Sequence, residues 1–172
     1  MSTLNVLETD RLVLRRLTVE DVAFVHELVN DEAWLRYIGD KGVRTLEDAA
    51  DYIRKGPLAM YERHGFGLML TALKADGTPI GMCGLIKRDT LDDVDIGLAF
   101  LPAFRRHGYA FESASAVLAY GQAAFGLKRI VAITSPDNEA SIRILEQLGF
   151  HFEKTIALSE DGLPTKLFAR NF

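Results

Sequence analysis

Between Phe100 and Ala110 the chain runs Phe-Leu-Pro-Ala-Phe-Arg-Arg-His-Gly-Tyr-Ala. This is an apolar strand end, a short basic loop, a glycine and the start of a helix. The first turn of a helix leaves backbone N–H groups without partners, and these groups and the helix dipole attract anions. A phosphate seated there gains about 1 kcal/mol from the dipole, and direct N–H hydrogen bonds add to it. Gly108 has no side chain to hold a phosphate away, and Ala110 is nearly as small. Arg105, Arg106 and His107 add positive charge, and no acid intervenes before Glu112. The alternative is a plain turn glycine beside solvated arginines. The stretch is not a Walker loop, because Lys-Ser/Thr after the glycine is missing, and it lacks the G-x-G-x-x-G dinucleotide fingerprint.

Asp89, Asp92, Asp93 and Asp95 form an acidic run just before this segment. Such a run attracts a cationic amine or is simply solvated. Cys83 has no basic neighbour and reads as a core cysteine, not a nucleophile. His26, His64, His107 and His151 share no metal-ligand spacing with one another or with Cys83, so no metal is expected.

The elements that position these residues can be read in order. Arg11–Arg15 is a short strand. Thr18 with Asp21, and Thr45 with Asp48, are capping starts of helices. Val22, Val25, Leu28 and Val29 follow the first at helical spacing, and Ala49, Tyr52 and Ile53 follow the second. Gly56-Pro57 should stop or kink that second helix. Strands are expected at 66–73 and 79–86 around the turn residues Asp76-Gly77, with a third over 95–101 that is covered on both faces. A long helix from about Tyr109 to Phe125 carries the small-residue stripe Ala110, Ala114, Val117, Leu118 and Gly121. Strand 129–134, a helix opened by Ser135-Pro136-Asp137-Asn138 and lined by Ile142, Leu145 and Leu148, and a strand over 166–170 complete an α/β chain with a central sheet.

The composition agrees with one domain spanning residues 1–172. The 172 residues are 48% hydrophobic and 26% charged, the balance of an ordinary globular protein. A formal charge of -4 gives no reason to expect a nucleic-acid binder. No stretch approaches the ~20 apolar residues of a bilayer span, and no signal peptide is visible. With a single cysteine, the expectation is a cytoplasmic protein without membrane or nucleic-acid partners.

Arg105-Arg106-His107-Gly108-Tyr109-Ala110 resembles the Gln/Arg-x-x-Gly-x-Gly/Ala signature of the GCN5-related N-acetyltransferases. The stretch Asn138-Glu139-Ala140-Ser141 through Leu148-Gly149-Phe150 resembles the N-x-x-S…L-G-F helix of the ribosomal-protein N-acetyltransferase branch. Glu8-Thr9-Asp10-Arg11-Leu12-Val13-Leu14-Arg15 is similar to that branch's opening. The matches come in order and span nearly the whole chain.

The resemblance implies a mixed, mostly antiparallel sheet flanked by helices, with two splayed strands (95–101 and 129–134) forming a cofactor cleft. It implies acetyl-CoA as co-substrate and a primary amine as acceptor, either a protein N-terminus or a small molecule. A homodimer is common among similar proteins. By the same resemblance Phe100 and Leu101 offer backbone hydrogen bonds to pantetheine, the amides of Arg106 to Ala110 hold the pyrophosphate, and Arg105 and Ser141 count with them as cofactor-binding residues. Asn138 contacts the cofactor, caps its helix, or does both.

Asp95 matches the position of a glutamate base in some relatives and is one methylene shorter, so a bridging water is expected. A strand-edge carboxylate with a structural partner is the other reading. Many relatives protonate the leaving thiolate with a tyrosine where this chain has Leu145. Ser141, one turn earlier, is the candidate substitute, unless its hydroxyl bonds a carbonyl four residues back. Trp34 and Tyr37 lie in the region that shapes the acceptor cleft in relatives, and either line it or belong to the core. A domain that holds acyl-CoA without turnover is the alternative to an enzyme.

Overall fold

A computed structural model describes residues 4–158 and 163–172. Its sheet contains β1 (Asn5–Glu8), β2 (Leu12–Arg16), β3 (Leu68–Leu73), β4 (Pro79–Ile86), β5 (Asp95–Phe100), β6 (Arg129–Thr134), β7 (His151–Ala157) and β8 (Pro164–Asn171). They lie in the order β1-β2-β3-β4-β5-β6-β8-β7. Every neighbouring pair is antiparallel except β5 and β6. A parallel pair needs a long crossover, and α5 (Tyr109–Phe125) supplies it.

Helices cover both faces. Consecutive residues of a strand point to opposite sides, and in β3 Met69 and Leu70 accordingly join different apolar clusters. Met69 packs with Ala114, Val117 and Leu118 of α5 and with Leu145 of α6 (Glu139–Gln147). Leu70 packs with Val25 and Leu28 of α1 (Val22–Val29) and with Ala49 and Ile53 of α3 (Leu46–Ile53). The small stripe of α5 is the reason that helix lies close to the sheet. A Cβ on Gly121 would stand 3.0 Å from Leu85.

Thr18 and Thr45 both form the expected capping boxes, with Asp21 and Asp48 respectively. The first opens a 3-10 turn, Val19–Asp21, before α1 begins. Gly56-Pro57 does not stop the second helix. The chain passes through a π-helical turn, Arg54–Leu58, into α4 (Ala59–His64) and ends at left-handed Gly65. Proline lacks an N–H and its ring crowds the preceding turn; a widened turn accommodates both. Three elements lie outside the sequence expectations: β1, α2 (Glu32–Tyr37) and β7. β7 is an edge strand exposed at every residue but Ile156, so it carries no alternation to read.

Candidate active site

The strands β5 and β6 share one register pair, Asp95 with Val131, supported by a 2.9 Å hydrogen bond from Val131 N to Val94 O. Beyond it the two strands part. The free edge of β5 from Ile96 to Phe100 therefore faces an opening, and β5 leads through Pro102–Phe104 into the basic loop and α5. The start of α5 has no side-chain cap: Gly108 occupies the N-cap position with φ 83°. The first helical bond runs from Glu112 N to Gly108 O, which leaves the N–H groups of Tyr109, Ala110 and Phe111 without helical partners.

The loop holds two left-handed residues, Arg106 at φ 65° and Gly108. Glycine adopts that conformation freely; arginine does so only when its surroundings impose it. Contacts from the far end of the chain surround it. Arg11 Nη1 donates to His107 O at 2.9 Å, and Arg11 Nε to Glu112 Oε1 at 2.7 Å. Its guanidinium lies 4.4 Å from the Tyr109 ring centre, and that ring stacks on His107. Glu112 also accepts from Thr9 Oγ1 at 2.5 Å and Arg11 N at 3.0 Å. Burial works to raise the Glu112 carboxyl, but these hydrogen bonds outweigh it and hold the group below its ordinary value.

The three basic residues of the loop part company. Arg105 turns away from the helix start: its Nε donates to Phe100 O at 3.0 Å and its Nη2 to Asp31 Oδ2 at 2.5 Å. It joins the end of β5 to the N-cap of α2 and does not add its charge to the loop, because a half-buried carboxylate nearby outcompetes water for the guanidinium. Arg106 and His107 are exposed beside the helix start. Leu101 N already donates to Ile80 O at 2.9 Å. The groups Phe100 O and Leu101 N are thus engaged within the protein.

Asp95 is 0% exposed and lies against Arg88, whose Nε is 3.2 and 3.3 Å from the two carboxyl oxygens. Burial pushes the carboxyl up to about 6, and Arg88 restrains the rise. Arg88 is half-exposed and covers the carboxylate. The positive charge of Arg88 is also felt at Tyr52 and Lys41, which places α3 and the segment before it on this side of the opening. Two of the four carboxylates of the acidic run, Asp95 and Asp93, are paired. Asp93 pairs with Arg129 at 3.0 Å, and Arg129 in turn holds Glu153 of β7 through two nitrogens. Asp89 and Asp92 remain.

On the other wall, Asn138 caps α6 by accepting from Ser141 N at 3.3 Å. Ser141 is half-buried in the first turn, and its Oγ makes no hydrogen bond among the described residues, so the expected bond to a carbonyl four back is not formed. Leu145 is 6% exposed, within the cluster beneath α5. Trp34 is buried in the core with Val43 and Leu101, and its Nε1 finds no hydrogen-bond partner among the described residues. Tyr37 stays at the surface of α2, where its carbonyl accepts from Ser135 Oγ at 3.2 Å. Loops around residues 30–45 and 155–165 are the expected carriers of acceptor specificity, and residues 159–162 lie outside the described residues. No cluster of three His, Cys, Asp or Glu suited to a metal ion occurs among the described residues. None of their helices is long and apolar enough to cross a membrane. Cys83 is buried, its thiol pushed up to about 12 by that burial.

Sequence reasoning missed Arg11 and Glu112 as parts of the site. The available signal was the Thr9-Asp10-Arg11 opening itself, whose polar residues have no strand periodicity to serve.

The family profile "Acetyltransferase (GNAT) domain" matches residues 11–151. The uncharacterized N-acetyltransferase YoaA of Bacillus subtilis is 32% identical over 92% of this chain and 91% of its own length. The crystal structure of a GNAT-family acetyltransferase from Bacillus anthracis superposes with a TM-score of 0.79 at 27% identity, covering 95% of this chain and 96% of that one. The ribosomal L7/L12 α-N-protein acetyltransferase RimL, solved with coenzyme A, shares the fold at a TM-score of 0.81 and 20% identity, over 95% and 96% of the two chains.

Proposed function

The chain belongs to the GNAT acetyltransferase family, and on that premise we propose that it moves an acetyl group from acetyl-CoA to a primary amine, in the manner of the ribosomal-protein branch. The observation that carries this is the uncapped start of α5 beside two strands that part after one register pair. The first offers N–H groups and charge to a pyrophosphate, and the second an unpaired strand edge to an extended amide chain.

The residues present fit the cofactor. The N–H groups of Gly108 through Phe111, with Arg106 and His107, hold the pyrophosphate; the edge of β5 before Phe100 lies along pantetheine, because Phe100 O is held by Arg105 and Leu101 N by Ile80 O. Acetyl-CoA supplies the activated thioester. Glu112, three residues into α5, would repel phosphate, but its charge is paired with Arg11 and it accepts a hydrogen bond from Thr9.

Asp95 accepts the amine's proton once Arg88 swings off it. With its carboxyl near 6, it is mostly ionised at pH 7. An α-amine near pKa 8 costs about 1 kcal/mol to deprotonate at that pH, a lysine side chain about 4–5. A weak base therefore suits a protein or peptide N-terminus, or a small amine of low pKa, better than a lysine. Ser141, whose hydroxyl is uncommitted, donates toward the leaving thiolate. Leu145 lies in the core and carries no donor.

The test is to add acetyl-CoA with a panel of N-terminal peptides and small amines and follow free thiol. Release with an α-amine but not with an Nα-blocked lysine peptide supports the proposal. Release that survives both Asp95→Asn and Ser141→Ala at full rate would overturn the assignment of those two residues.

A further inference from the structure

The proposed cofactor loop is held in shape from the opposite end of the chain, and we infer that Arg11 is a positioning residue for acetyl-CoA binding. This rests on the function proposed above. Arg11 stands 96 residues before its acceptor His107 O and 101 before Glu112. One planar guanidinium makes all the contacts: Nη1 to the loop carbonyl, Nε to the helix carboxylate, and its face to Tyr109. Its remaining nitrogen, Nη2, stands 3.3 Å from where a Cβ on Gly108 would be. The group thus spans the loop just before the helix and the first turn after it.

The contacts answer a specific structural need. Arg106 has φ 65° without being glycine, a strained conformation that persists only where its neighbours over-determine it. With no side-chain cap on α5, the direction of its first-turn N–H groups depends on contacts from outside the helix. Arg11 fixes both sides of Gly108 at once. Thr9 and the Arg11 N–H complete the arrangement by holding Glu112 in place.

A ligand that needs one loop conformation binds in proportion to the population of that conformation. Removing Arg11 lets the loop relax to others, so coenzyme A binding weakens while the reacting groups at the far end of β5 are untouched. Lysine cannot substitute, because one ammonium cannot make a planar fork of contacts.

Calorimetric titration of coenzyme A tests this, alongside steady-state kinetics and a thermal melt. For Arg11→Ala and Arg11→Lys the expected result is a Kd raised about tenfold, a matching rise in KM for acetyl-CoA, and kcat within about twofold of wild type. Lys74→Ala is the control: Lys74 holds the same β1–β2 turn through Thr9 O and Glu8 without touching the loop, and its coenzyme A affinity should stay at the wild-type value. Glu112→Gln separates a brace from a mere nearby cation. If Arg11 acts only by charge, removing the carboxylate tightens coenzyme A binding; if it braces the loop, freeing Arg11 weakens it. Tighter binding in Glu112→Gln, or an unchanged Kd in both Arg11 variants, would overturn the inference. Failure of the wild type to bind coenzyme A would instead overturn the proposed function.

Discussion

The two ends of β5 are held in opposite ways. At its start, Asp95 is fully buried and its partner Arg88 lies seven residues away in the same hairpin. At its end, the loop into α5 is exposed and is tied to residues 96 and 101 positions earlier. A buried charge must be paired nearby or it is expelled, and a hairpin provides that locally. An exposed loop has no core to shape it, so its shape comes from polar contacts that only the finished fold brings together. The first arrangement sets a titration, the second a geometry, and substitutions should separate them.

The largest effect on kcat is expected at the buried end. Asp95→Asn should lower kcat about a hundredfold, the scale of a positioned general base, with coenzyme A affinity unchanged. The same variant alters the pH dependence of stability. The folded state holds the Asp95 proton more tightly than the unfolded chain does, so the stability this gives is complete below about pH 4 and is lost as pH rises through about 6. A rise of about two units corresponds to about 3 kcal/mol. Urea unfolding should show wild type losing stability relative to Asp95→Asn between pH 4 and 8. A constant difference would mean that Asp95 does not titrate in this range.

Arg88→Gln should have an intermediate effect. Without the cation the buried carboxyl rises further, and the acidic limb of kcat/KM should move up by about one pH unit. A limb that stays in place would assign it to another group. Ser141→Ala comes third, with kcat lowered about tenfold and KM for acetyl-CoA unchanged. An effect on KM alone would make Ser141 a binding residue.

The same contrast decides what was legible in the sequence. The bounds of α5 and β6 followed from periodicity and from glycine or proline stops, because the packing that fixes them is local and apolar. The anion-attracting start of α5 was visible in Gly108 and its neighbours for the same reason. The orientation of Arg105 was not, because Asp31, which captures it, lies 74 residues away. Arg11 escaped notice because its partners are His107 and Glu112, on the far side of the chain. The acidic run left two readings open, a lure for cations or a solvated loop, and neither allowed for Arg88 and Arg129, which pair with Asp95 and Asp93. Trp34 could have been cleft or core; burial with Val43 and Leu101 put it in the core.

The central claim is that the start of α5 seats the pyrophosphate of acetyl-CoA, and Gly108→Glu tests it most directly. Gly108 is left-handed and faces Arg11 Nη2, so a glutamate there sets both bulk and negative charge where the phosphate should lie. Calorimetric titration of coenzyme A should show binding to wild type and a loss of at least about a hundredfold in the variant, in a protein that still melts cooperatively. Equal affinity in a folded Gly108→Glu protein would contradict the account.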